Sequence, residues 1–172
     1  TLNVHYIEKF IFDKFNILLP FTKFGAIWKK VKYVAAINGG DGFSDIYNTL
    51  TFKYRLTETL FAMQTNTPLI LLPQTIGPFS IDVNRELAEK ILKYAKIIYV
   101  RDDKYHSEFV KLGIQEILTR DLSYYMKPEP VGVNFKEDSI GLNISGLCYS
   151  NNYRSLAGQF ANYKMLIHQL VI

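Results

Sequence analysis

Four short strand-like runs in this sequence each end on residues that can bind or move charge. The first run, residues 33–37, leads into Asn38-Gly39-Gly40-Asp41-Gly42-Phe43-Ser44-Asp45. Glycines directly after a strand allow positive φ and close approach of backbone to a ligand. Amides exposed at such a turn, ahead of a helix, favour a phosphate, a carboxylate or a sugar. The glycines lack the spacing of a dinucleotide-binding loop and no P-loop lysine follows, so the alternative is a glycine turn with no ligand. The second run, Leu69 to Leu72, ends on Gln74-Thr75-Ile76-Gly77-Pro78, an amide and a hydroxyl ahead of a Gly-Pro turn. The third, residues 96–100, ends on Arg101-Asp102-Asp103, and the fourth, residues 116–120, ends on Asp121. The Arg101 guanidinium can take a carboxylate or phosphate through two parallel hydrogen bonds. Its alternative is a local pairing, with Asp102 or Asp103 capping the next helix.

The elements between these ends determine whether they meet. Leu69 to Leu72 is too short for a core helix and sits between breakers, as a buried strand does. Apolar residues at helical spacing predict one long helix over 49–64, ended by Thr67-Pro68, and further helices over 82–94 and 104–112, the last closed by Gly113. Shorter helices are expected over 1–16 and 24–30, the latter with Trp28 turned inward. This alternation of strand and helix predicts an α/β fold, a parallel sheet with helices on both faces. In such a sheet the polar strand ends share one edge, where open α/β sheets bind ligands. Pro128 and Pro130 lie in an aperiodic stretch that reads as a linker, 126–138. Residues 139–145 then alternate as a fresh strand, and 156–171 show a helical pattern. The expected organisation is a first domain over 1–125, the linker, and the beginning of a second α/β domain over 139–172. With no methionine at Thr1 and an amphipathic pattern running to Ile172, the chain reads as cut at both ends.

Composition narrows the function classes. The 172 residues are 48% hydrophobic and 15% aromatic, enough to bury a core, and the net charge is a mild +4. The cluster Lys29-Lys30-Val31-Lys32 reads as a solvated helix end, so nucleic-acid binding has no support. Cys148 is the single cysteine, which excludes an intrachain disulfide framework and fits a reducing compartment. No apolar run approaches the ~18 residues of a membrane helix and no signal peptide is seen, so a cytoplasmic protein is expected. His5, His106 and His168 have no ligand spacing, and no metal is expected.

Taken together, the segments Asn38–Asp45, Gln74-Thr75-Ile76-Gly77-Pro78-Phe79, Val100-Arg101-Asp102-Asp103 with Leu112-Gly113, Asp121, and Gly141-Leu142-Asn143-Ile144-Ser145-Gly146 resemble the polysaccharide pyruvyl transferase family, over about residues 34–167. The resemblance implies a GT-B-like, two-domain architecture of Rossmann-like halves with the active site in the cleft, here truncated at both ends. It implies transfer of a pyruvyl group from phosphoenolpyruvate to a lipid- or nucleotide-linked saccharide, giving a ketal, in envelope or capsular polysaccharide synthesis. No cofactor is implied beyond phosphoenolpyruvate as donor substrate, and the oligomeric state stays open. Arg101 matches the family's strand-end arginine; Gly39, Gly40, Gln74 and Thr75 are the other substrate-binding candidates. Asp45 and Asp121 are the candidate catalytic carboxylates. The second-domain arginine and histidine of the family have no counterpart in this chain, so the piece alone is expected to be inactive. Two departures stand out: Asp41 replaces a third consecutive glycine, and Tyr105 replaces a serine. The rival expectations are a GT-B-type glycosyltransferase using a sugar nucleotide and a non-catalytic saccharide-binding relative.

Overall fold

The computed structural model describes residues 21–130, together with 8, 10–12, 14, 15, 17, 19, 132, 134, 136–146, 149 and 162–171. The chain divides into two compact units, Thr1–Met126 and Lys127–Ile172.

The first unit is built on four parallel strands, β1 (Val34–Ala36), β2 (Leu69–Gln74), β3 (Ile97–Val100) and β4 (Ile117–Leu118), in the spatial order β1-β2-β3-β4. Registers pair Val34 with Leu69, Leu71 with Ile98, and Val100 with Leu118. The β2–β3 register shifts between Leu71 and Gln74. Pro73 lies inside that interval and has no N–H to donate to the ladder. The apolar run thus continues as strand to Gln74, two residues past Leu72.

Helices α2 (Thr49–Arg55) and α3 (Thr57–Gln64) connect β1 to β2, α4 (Asp82–Tyr94) connects β2 to β3, and α5 (His106–Leu112) connects β3 to β4; α1 (Lys23–Trp28) precedes β1. Strand order advances one place at a time, and parallel crossovers are right-handed, so every connection falls on the same side of the sheet. The core agrees: Val34, Ala36, Leu69, Leu71, Ile98 and Val100 share one buried cluster with Phe52, Leu56, Ala88, Ile91, Leu92 and Phe109. Ala35 and Ile97, on the opposite strand face, are exposed. Helices on both faces were expected; among the described residues the sheet carries them on one. The cause is topological, because only a reversal of strand order would send a crossover to the other side.

The single helix expected over 49–64 is two. The break is at Leu56, whose amide is shared between the carbonyls of Phe52 and Lys53, both at 3.2 Å. Beside it, the Arg55 carbonyl accepts from Asn38 Nδ2 at 2.6 Å. A carbonyl claimed by a side chain from the first strand's end competes with the helix ladder, and Leu56, fully buried, turns into the core.

Helix α4 matches its expected span. It buries Asn84, Ala88, Ile91 and Leu92, one stripe of an amphipathic helix, and Tyr94 OH ties its end to the Thr67 carbonyl at 2.7 Å. Trp28 turns inward as expected, donating Nε1 to Thr65 Oγ1 at 2.9 Å. The described positions between 8 and 15 are helical, and Phe12 stacks on Phe61 with centroids 3.8 Å apart; the rest of the 1–16 helix lies outside the described residues. The strand expected over 116–121 is only Ile117–Leu118.

In the second unit, helix α6 (Tyr163–Val171) buries Ile167; the earlier part of the helix expected over 156–171 lies outside the described residues. Residues 139–145 form no strand, and Ile140 is 95% exposed. An isolated extended segment has no neighbour with which to exchange backbone hydrogen bonds.

Candidate functional site at the strand ends

The ends of β1, β2, β3 and β4 converge. Arg101 follows β3 directly, and its amide donates to the Gln74 carbonyl at the end of β2, 3.2 Å away. Its side chain is held at two points: Nε donates to Thr75 Oγ1 at 2.9 Å and Nη1 to Asp121 Oδ2 at 2.7 Å. Thr75 Oγ1 in turn donates to the Asp102 carboxylate. Nη2 has no hydrogen-bond partner among the described residues, and the side chain is 30% exposed. The guanidinium is therefore aimed by the protein with one edge left over.

Asp121 does two jobs with two oxygens. Oδ2 takes Arg101, while Oδ1 accepts from the Ser123 amide and hydroxyl at 2.9 and 2.8 Å, capping the short 3-10 turn Leu122–Tyr125. The bond from Arg101, with those from Ser123, holds its carboxyl down to about 2. A carboxylate so stabilised in its charged form is a poor proton acceptor and a good positioning group.

The glycine turn packs against this arginine. Gly39 and Gly40 have φ of 73° and 76°, a region open to glycine at little cost. A Cβ on Gly40 would lie 3.2 Å from Arg101 Nη1. The Gly40 carbonyl accepts from the Thr75 amide at 2.8 Å, which pins the turn to the end of β2. Among the described residues, neither the Gly39 nor the Gly40 amide has an acceptor. Phe43 and Ile76 form one further parallel bridge beyond the strands.

Gln74 does not face out. It is fully buried, with Oε1 accepting from the Asn38 amide at 2.9 Å. Through its main chain and side chain it ties Arg101 to the start of the glycine turn.

Asp45 stands apart from the Arg101 cluster. Its carboxylate accepts from the amides of Ser80 (2.9 and 3.1 Å) and Ile81 (3.0 Å), from Ser80 Oγ (3.2 Å), and from Asn84 Nδ2 (3.1 Å). These are the donors at the entry to α4, so Asp45 caps that helix from a distant loop. Burial pushes the carboxyl up, but the Ser80 amide, Asn84 and the Ile81 amide together outweigh it and hold Asp45 below its ordinary value.

Both departures from the family pattern have partners here. Asp41 accepts from Tyr47 OH at 2.6 Å and pairs with Arg55 at 3.5 Å. The Tyr105 ring lies over Gly77, where a Cβ would come within 2.7 Å of it, and meets Phe79 and Phe109 edge-to-face at 5.6 and 5.8 Å. Arg55, which the sequence did not single out, also lies against the glycine turn. Its guanidinium lies 3.6 Å from where a Gly39 Cβ would be. No local pattern separates it from Lys53 on the same helix.

Among the described residues, no group of three His, Cys, Asp or Glu side chains is arranged to hold a metal ion, and no helix is long and apolar enough to cross a membrane. Comparison with curated proteins and with solved structures gave no match. The family model for polysaccharide pyruvyl transferase matches residues 3–167, nearly the whole chain, and the chain belongs to that family.

Proposed function

We propose that the protein transfers a pyruvyl group from phosphoenolpyruvate to a saccharide, as a ketal bridging two hydroxyls, in the cytoplasmic synthesis of envelope or capsular polysaccharide. The lipid- or nucleotide-linked form of the acceptor and a GT-B-like pairing of Rossmann-like domains belong to the same reading. The observation that carries it is Arg101: a guanidinium fixed by Thr75 and Asp121, beside a glycine turn, with Nη2 and the Gly39 and Gly40 amides unpaired among the described residues. Phosphoenolpyruvate presents a carboxylate and a phosphate, both matched to guanidinium and amide donors.

The reaction adds two acceptor hydroxyls to one carbon of the donor. One proton is taken up by the neighbouring carbon, which becomes a methyl group, and the other leaves with phosphate. Arg101 supports this step by binding the donor and stabilising charge on the departing phosphate. In this reading Asp121 aligns Arg101, and Asp45 holds the loop carrying the glycine turn against α4; neither is assigned proton transfer.

The test is phosphate release from phosphoenolpyruvate with a panel of lipid- and nucleotide-linked saccharides, with and without Arg101→Ala. Acceptor-dependent release that falls at least about 100-fold in the variant is expected, the loss typical of one removed charge-stabilising donor. Release unchanged in the variant would remove Arg101 from the site. Thermal stabilisation by a sugar nucleotide, with none by phosphoenolpyruvate, would replace the reading with glycosyl transfer.

A further inference from the structure

Arg55 and Arg101 lie against the same glycine turn. A Cβ on Gly40 would meet Arg101 Nη1 at 3.2 Å and one on Gly39 the Arg55 guanidinium at 3.6 Å, while one on Gly42 would strike the Asn38 carbonyl at 1.7 Å before reaching Arg55 Nη1 at 2.6 Å. The turn thus runs in contact with both guanidiniums, most closely with Arg101 at Gly40. Consecutive Cα atoms are 3.8 Å apart and each Cα–Cβ bond adds about 1.5 Å, which puts the two guanidiniums at most about 14 Å from each other. They are equally accessible, with side chains 31% and 30% exposed.

Both are also tied to one framework. Gln74 accepts the Arg101 amide through its carbonyl and the Asn38 amide through Oε1; Asn38 Nδ2 then holds the Arg55 carbonyl. The ends of β1 and β2 thus set the spacing of the two arginines.

The partner of Arg55 is an internal anion. Asp41 Oδ1 lies 3.5 Å from Nη1, a long contact, while Oδ2 accepts from Tyr47 OH at 2.6 Å and the Asp41 carbonyl from Ser44 Oγ at 2.6 Å. Asp41 keeps its own support if Arg55 turns away. The Tyr47 ring, 4.8 Å beneath the Arg55 guanidinium, guides that turn as a cation–π surface.

We propose that Arg55 is the second arm of the anion site, so that one ligand carrying two anionic groups spans the glycine turn from Arg101 to Arg55. Asp41 is the built-in competitor that occupies Arg55 when no ligand is bound. This rests on the reading above, under which the ligand is phosphoenolpyruvate, its carboxylate on one arginine and its phosphate on the other.

The test is calorimetric titration of the protein with phosphoenolpyruvate, pyrophosphate and inorganic phosphate, for the unaltered chain, Arg55→Gln, Asp41→Asn and the double variant. Arg55→Gln should weaken phosphoenolpyruvate by about tenfold or more, the loss of one charge-assisted contact. Asp41→Asn should tighten it several-fold, and this gain should vanish in the double variant. A purely structural Asp41–Arg55 pair predicts that both single variants weaken binding, and that result overturns the proposal, as does an Arg55→Gln protein that binds like the unaltered one. If Arg55→Gln fails to fold by circular dichroism, the sign of the Asp41→Asn effect decides. Arg55-dependent binding of pyrophosphate without phosphoenolpyruvate would keep the two-armed site and discard the donor. Binding of neither would overturn both.

Discussion

Replacing Asp45 tests whether this carboxylate is a helix anchor. It gathers the Ser80 and Ile81 amides, the Ser80 hydroxyl and Asn84 Nδ2, all within 3.2 Å. A hydrogen bond to a charged group contributes about 1.5–3 kcal/mol. Ser80 and Ile81 are exposed residues, so water can replace part of the loss, and buried Asn84 keeps Thr49 Oγ1 at 3.1 Å. Asp45→Ala should therefore cost about 2–4 kcal/mol, and Asp45→Asn, which turns an NH2 toward the amides, about 2 kcal/mol. In urea unfolding followed by circular dichroism, with a slope near 2 kcal/mol per molar, the Ala variant should lower the midpoint by about 1–2 M. The sign of the pH dependence follows from the lowered carboxyl. Its stabilisation is fully present above the ordinary aspartate value of about 3.9 and is lost as pH falls through the lower folded value. The gap between the unaltered and Asn proteins should accordingly be constant near neutrality and close in acid. An Asn variant within about 0.5 kcal/mol of the unaltered protein, with the gap insensitive to acid, would refute the anchor role. If that variant also lost phosphate release, Asp45 would return as a catalytic carboxylate.

Two further outcomes follow from the packing around the site. Gly77 has φ 65° and a Cβ there would lie 2.7 Å from the Tyr105 ring; Gly77→Ala should cost about 2–3 kcal/mol by thermal melting, falling to about 1 kcal/mol in a Tyr105→Ala background, where only backbone strain remains. Asp121→Asn should leave the far-ultraviolet spectrum intact and raise the KM for phosphoenolpyruvate more than it lowers kcat, because it loosens the aim of Arg101; an unchanged KM would count against the aligning role.

Local sequence pattern was enough for the alternation of strands and helices, the extent of α4, and the placement of Gly39, Gly40, Thr75, Arg101 and Asp121 at strand ends. These are local matters: apolar run length, helical spacing and glycine in turns are read within about ten residues of chain. Tertiary structure decided the rest. Which face the helices cover depends on strand order, which no single segment encodes. The break at Leu56 depends on Asn38, seventeen residues from the Arg55 carbonyl it engages. Asp45 becomes a cap because a helix entrance 35 residues later in the chain settles on it. Arg55 reaches the glycine turn only because α2 folds back over the end of β1. Each of these contacts joins groups distant in sequence, and chain folding, not local pattern, brings them together.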